Sequence, residues 1–128
     1  MTNKTLKPTE SELEILSILW QEKIATVRTV HEALLITKDA GYTTTLKLMQ
    51  IMHEKGLLVR NTDRKIHLYE AAIDKTETQS QIVNKLVSKL FEGSPTELVM
   101  QALGGNKTSN EELSKIETLI AELKLKNR

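Results

Sequence analysis

Gly41-Tyr42-Thr43-Thr44-Thr45-Leu46-Lys47-Leu48-Met49-Gln50-Ile51-Met52, followed by Leu57-Leu58-Val59-Arg60 and then Ile66-His67-Leu68, decides how this chain folds. On a 3.6-residue wheel Thr45, Leu46, Leu48, Met49 and Met52 share one side. The other side carries Thr43, Lys47, Gln50 and Glu54, with Thr44 and Ile51 at its edge. The pattern predicts a helix from about Thr43 to Lys55, with Gly56 placed to end it. The period then changes. Leu57 to Arg60 is short and apolar, and Ile66, Leu68 and Glu70 break helical spacing. Asn61-Thr62-Asp63-Arg64-Lys65 between them is polar and turn-prone, so two strands and a hairpin loop are predicted.

Working toward the N-terminus, Thr9 is placed to cap a helix and Glu12 to complete the cap three residues on. Leu13, Leu16 and Trp20 recur at helical spacing, widened by Ile15, Ile18 and Leu19, which predicts a first helix over about residues 9–22. Thr26 is a second candidate cap, and Val27, Val30, Ala33 and Leu34 place a second helix over Val27 to Leu35. Lys38 to Gly41 is a turn. Toward the C-terminus Ile82, Val83, Leu86, Val87, Leu90 and Phe91 form one amphipathic stripe. Gly93-Ser94-Pro95 ends it and opens a helix to about Leu103. Gly104-Gly105 reads as a break, and Ser109 or Asn110 starts a last helix with Leu113, Ile116, Ile120 and Leu123 on one seam. The fold class expected is mostly α: a winged helix-turn-helix over residues 1–72, then a three-helix dimerisation segment over residues 73–128.

Composition bounds the function. Of 128 residues, 39% are hydrophobic and 27% charged, which suits a globular chain. Absence of cysteine excludes disulfides and thiolate metal sites. No apolar run reaches the roughly 18 residues of a membrane span, and the polar stretch Met1 to Pro8 has no leader-like apolar core, so a cytoplasmic protein is expected. His31, His53 and His67 show no ligand spacing, and His31 with Glu32 reads as a solvated pair. No HExxH, GxSxG or phosphate-cradling glycine motif occurs, so the chain is read as a non-enzyme with no metal and no cofactor. The net charge of +1 is uninformative, but from Thr43 to Tyr69 five basic residues face two acidic ones. Glu10, Glu12, Glu14 and Glu22 make the first helix acidic. Such asymmetry orients a protein on DNA, and equally describes a solvated mixture of charges.

A third helix with a short polar face can enter the major groove N-terminus first. Thr43 and Thr44 would offer hydroxyls and helix-terminal amides to phosphates and bases. Lys47 would reach a guanine edge or a phosphate, and Gln50 an adenine. Tyr42 at the helix entry, Arg28 early in the second helix, and Arg64 with Lys65 at the wing tip complete the DNA-binding candidates. The alternative is an ordinary amphipathic helix capped by Thr43, beside a hairpin tip charged for solubility. The C-terminal stripes are too thin to bury themselves, and two-fold pairing with a second copy uses one patch twice. Leu86, Leu90, Leu98, Val99, Leu103, Ile116, Leu119, Ile120 and Leu123 are the dimer-interface candidates; packing back on the winged domain is the alternative. A functional rival is an adaptor whose winged helix binds protein instead of DNA.

Lys7-Pro8-Thr9-Glu10-Ser11-Glu12 through Trp20, Val27-Arg28-Thr29-Val30, Tyr42-Thr43-Thr44 and Glu54-Lys55-Gly56-Leu57-Leu58 together resemble the bacterial penicillinase-repressor family, which includes β-lactamase, methicillin-resistance and copper-transport repressors. The resemblance implies a homodimeric winged-helix transcriptional repressor on a dyad operator of double-stranded DNA. It implies DNA contacts from Thr43, Thr44 and Lys47 and a wing at Arg64-Lys65. Ile51 departs from the pattern, standing where many members carry a DNA-contacting arginine. The copper branch uses C-terminal cysteines that this chain lacks. In the β-lactam branch a membrane-bound sensor metallopeptidase system leads to cleavage at an Asn-Phe bond; the matching stretch here is Met100-Gln101-Ala102-Leu103, so that bond is not preserved.

Overall fold

A computed structural model describes residues 7–128; the polar stretch read for a leader lies mostly outside the described residues. Their elements run α1 (Glu10–Glu22), α2 (Val27–Leu34), α3 (Tyr42–Glu54), β1 (Leu58–Asn61), β2 (Leu68–Ala71), α4 (Lys75–Leu90), α5 (Pro95–Gly105) and α6 (Asn110–Lys126). This is the expected order of a winged helix followed by three helices. The chain separates into two units between Gln79 and Ser80, inside α4.

In the N-terminal unit α1 starts as its sequence requires. Thr9 Oγ1 accepts the Glu12 N–H at 3.2 Å, and the Thr9 N–H donates to Glu12 Oε1 at 2.9 Å. The same buried carboxylate receives Lys55 Nζ at 2.9 and 2.7 Å on its two oxygens. Burial alone would raise the Glu12 pKa; the Lys55 ammonium and the Thr9 backbone N–H outweigh it and hold the carboxyl below its ordinary value. Lys55 is the C-cap of α3, so one ion pair ties the start of the first helix to the end of the third. Glu14 is bound as well, to Lys38 at 2.9 Å. The acidity of α1 is therefore partly internal pairing, which revises its reading as an orienting charge.

The end of α3 is fixed by Gly56 at φ +86°. The Leu57 N–H donates to Met52 O at 2.9 Å and the Gly56 N–H to His53 O at 3.1 Å, the two bonds of a Schellman turn. That reversal drops Leu57 and Leu58 into the core and starts β1 one residue later than periodicity placed it. β1 and β2 pair antiparallel from Leu58↔Ala71 to Asn61↔Leu68. Ala25, between α1 and α2, bridges the other edge of β2: it exchanges both backbone bonds with Tyr69, at 2.9 and 2.8 Å. A single bridged residue has no period to read, so this bridge was invisible in the sequence.

Ile15, Leu16, Leu19, Val30, Met49, Met52, Leu57 and Tyr69 form the core, with Leu13, Ile18, Trp20, Leu46 and Leu48 packed around it. Trp20 Nε1 donates to Ile73 O at 3.0 Å, satisfying the one polar atom of a largely apolar ring. His31 belongs to this interior too. Val27, Val30, His31 and Leu34 share the buried face of α2, and His31 Nδ1 meets Thr45 Oγ1 at 3.0 Å. The reading of His31 and Glu32 as a solvated pair is thus corrected for His31: position i+4 on an apolar face is buried whatever occupies it.

In the C-terminal unit Glu92 (φ +51°) and Gly93 (φ +81°) turn the chain after α4. Ser94 caps α5, with Pro95 in its first turn, and Ser109 with Glu112 forms a capping box on α6. α5 ends at the expected glycine pair but includes it: Gly104 and Gly105 are its last two residues and Asn106 is the C-cap. Glycine costs a helix only about 1 kcal/mol, and the Asn106 side-chain amide covers the Ala102 carbonyl at 2.8 Å. From Ser80 onward no residue is buried.

Candidate nucleic-acid interface

α3 starts one residue earlier than expected, at Tyr42, with Gly41 as an N-cap that makes no side-chain capping bond. Thr43 and Thr44 therefore lie inside the first turn. Thr43 does not serve as the cap, which removes the bland account of its hydroxyl. Thr43, Thr44, Lys47, Gln50 and Ile51 are all exposed, while Thr45, Met49 and Met52 are buried. Leu46 and Leu48, assigned to the inner side, are half-buried at its margins. The first turn carries no acidic residue, so its positive dipole end is uncancelled.

Behind that turn four side chains hold one another. Thr45 Oγ1 reaches Gly41 O at 3.4 Å and pairs with His31. The His31 ring meets Tyr42 edge to face, centroids 5.4 Å apart at 83°. The Arg28 guanidinium sits 5.4 Å from the Tyr42 ring centroid. A buried imidazole thus steadies an exposed tyrosine, whose face steadies a cation.

A groove of about 440 Å³ runs between this array and the wing. Thr26, Val27 and Arg28 of the α2 start line it, with Tyr42, Leu46 and Gln50 along one strip of α3. The sheet side supplies Arg60, Lys65, Ile66, His67 and Tyr69. No carboxylate lines it. Of the expected DNA-binding residues, the groove gathers Arg28, Tyr42, Gln50 and Lys65. Thr43, Thr44 and Lys47 occupy the neighbouring exposed strip of α3, and Arg64 stands exposed in the loop between β1 and β2 outside the groove lining. In that loop Asn61 Oδ1 accepts the Asp63 N–H at 2.9 Å.

Arg60, read in the sequence only as one of the cations of the strand-loop-strand, and His67 are not among the expected DNA contacts; both line the groove. Strand alternation carried the signal for Arg60, because it shares a β1 face with buried Leu58. His67 precedes β2 and follows no period. Among the described residues no cluster of three His, Asp or Glu side chains is placed to hold a metal ion. No described helix is long and apolar enough to cross a membrane.

Comparison with known proteins agrees with the fold. The methicillin resistance regulatory protein MecI of Staphylococcus aureus strain N315 is 23% identical over 120 residues, spanning 94% of this chain and 98% of its own. The protein of the same name from Staphylococcus epidermidis is also 23% identical. That of Mammaliicoccus sciuri is 22% identical over the same share of both chains. The penicillinase repressor family matches residues 8–122, almost the whole of both units. With helix order, wing and family match in accord, the chain belongs to the penicillinase repressor family.

Proposed function

We propose that this chain is a transcriptional repressor that binds operator DNA as a homodimer. The observation that carries the reading is the surface of α3: an uncapped, acid-free N-terminal turn with Thr43, Thr44, Lys47 and Gln50 exposed, flanked by a groove lined by three cations and no carboxylate. In this reading α3 enters the major groove, Thr44 and Lys47 lie against base edges and phosphates, and the wing carrying Arg64 and Lys65 follows the backbone. Pairing through the C-terminal helices sets two copies of α3 on half-sites roughly 34–36 Å apart or a multiple of it. The exposed stripes of α4 to α6 support that pairing, since a dimer covers them and a lone chain leaves them in water.

The test is an electrophoretic mobility shift with the intergenic duplex upstream of the gene. Saturable binding is expected, falling by about 10³–10⁵ between 50 and 200 mM salt if about 6–10 phosphates are contacted. Salt-insensitive or absent binding would favour the protein-adaptor reading. Release by a membrane-bound sensor metallopeptidase is the remaining part of the family expectation. Met100, Gln101, Ala102 and Leu103 lie inside helical α5, so cutting there requires local unwinding. Intact-mass measurement after co-expression with a neighbouring membrane metallopeptidase tests that route; an uncut chain removes it.

A further inference from the structure

Arg60 Nε is buried and has no hydrogen-bond partner. Buried donors are almost always paired, and a charged one left unpaired is among the costlier defects a fold carries. Arg60 sits on β1 opposite Tyr69. Tyr69 spends its backbone N–H and C=O on Ala25, so Arg60 and Tyr69 form the close, non-hydrogen-bonded kind of cross-strand pair. Their side chains share one face, and both line the groove.

The other groups there do not relieve the donor. Arg28 and Lys65 are cations, and the ion pairs Glu12–Lys55 and Glu14–Lys38 both lie among residues outside the groove lining. The first turn of α2 lines the same space and carries no acidic residue. The groove therefore presents donors and positive dipole to whatever enters, over a floor of Leu46 and Tyr69. What is missing is an acceptor with negative charge and more than one lone-pair oxygen.

We propose that Arg60 is the central ligand of a phosphodiester seat, in which one backbone phosphate of the bound duplex lies between α3 and the wing with Arg28 on its other side. This rests on the DNA-binding reading and adds a residue and a role to it. A guanidinium is well matched to a phosphodiester, because it stays charged, is weakly hydrated, and meets two phosphate oxygens with two N–H groups. The seat is sequence-blind. It fixes the register of α3 in the groove and leaves base choice to the outer strip.

The experiment compares the full-length wild type with Arg60→Met and Arg60→Lys on the operator duplex and on an unrelated duplex, across a salt series. Arg60→Met is expected to weaken both duplexes by a similar factor, about tenfold. It should lower the slope of log affinity against log salt by about 0.9, the signature of one lost phosphate contact. Arg60→Lys keeps the charge and should keep the slope, while losing part of the affinity. Thermal melting followed by Trp20 fluorescence should show Arg60→Met at least as stable as wild type, because it deletes an orphaned donor. A wild type that binds DNA with an Arg60→Met variant of unchanged slope overturns the seat and leaves the DNA reading standing. Loss confined to the operator would make Arg60 a base reader and overturns it as well. Saturation by inorganic phosphate alone, measured by calorimetry, would mark a free-anion site instead of a duplex seat. A wild type that binds neither duplex overturns both readings.

Discussion

The two units of this chain solve the same problem in opposite ways. The N-terminal unit buries Ile15, Leu16, Leu19, Met49, Met52 and Tyr69 completely or nearly so. From Ser80 to the C-terminus nothing is buried: Leu90 is 66% exposed, Leu119 53% and Leu123 47%. Both are built from amphipathic helices, most of them with side-chain caps, so helix formation does not separate them. What separates them is closure. In the N-terminal unit three helices cross over a sheet, and each apolar face meets another within the same chain. The C-terminal helices present stripes with no interior to enter, and capping contributes too little to order such helices in isolation. The difference teaches that one unit closes its core within the chain, while the other leaves its apolar stripes open, which is what the proposed pairing would cover.

The largest expected effect breaks the second half of this contrast. Ile120→Glu combined with Leu123→Glu places charges on the exposed seam of α6, and a two-fold pairing doubles them. Dimer dissociation measured by sedimentation equilibrium should rise by at least about 100-fold, or about 3 kcal/mol. DNA affinity should fall with it, while the melting of the N-terminal unit stays put. An unchanged association constant would show that this seam is not an interface.

Next in size is the ion pair that closes the first unit. Lys55→Met leaves the Glu12 carboxylate buried beside Thr9 alone, and should cost about 2–3 kcal/mol in urea unfolding at pH 7. The Glu12 carboxyl is held below its ordinary 4.5 in the folded chain. Its stabilisation is therefore complete above that value and is lost as pH falls through the lower folded one. The stability gap between wild type and Glu12→Gln should be flat from pH 8 to about 5 and shrink below it. A gap that widens in acid would contradict the assignment.

Smaller effects test how the scaffold holds its surface. Thr45→Val keeps the shape and strands His31 Nδ1, for about 1–2 kcal/mol of stability, read from thermal melting. Because His31 supports Tyr42 and Tyr42 supports Arg28, DNA affinity should fall by more than the stability loss explains. Smallest is Gly41→Asp. A side-chain cap on α3 should add about 0.5 kcal/mol to stability, yet it sets a carboxylate at the helix end proposed to meet phosphate. Tighter folding with weaker mobility shift is expected, and a gain in both would count against the proposed docking.

Much of the fold was readable in advance. The 3.6 period of α1 to α6, the capping box at Thr9, the helix start at Ser109, and the change of period after Gly56 are local properties, and local physics decides them. Gly104 and Gly105 marked the end of α5 two residues early, because a glycine pair disfavours a helix without forbidding one. At the candidate interface, periodicity separated exposed Thr43, Lys47 and Gln50 from buried Met49 and Met52. It did not reach His31, whose polar ring is buried by its neighbours' positions. It did not reach the Ala25–Tyr69 bridge, which joins residues far apart in the chain.

From its order of residues alone the chain determined which segments are helices, where they start to within a residue or two, and that a hairpin follows the third. Hydrogen bonds between near neighbours and the spacing of apolar side chains suffice for that. Only the tertiary structure decided that Glu12 belongs to Lys55, that Arg28, Arg60 and Lys65 line one groove, and that the Arg60 Nε has no partner there. Those facts depend on which distant segments meet, and no period along the chain encodes a meeting.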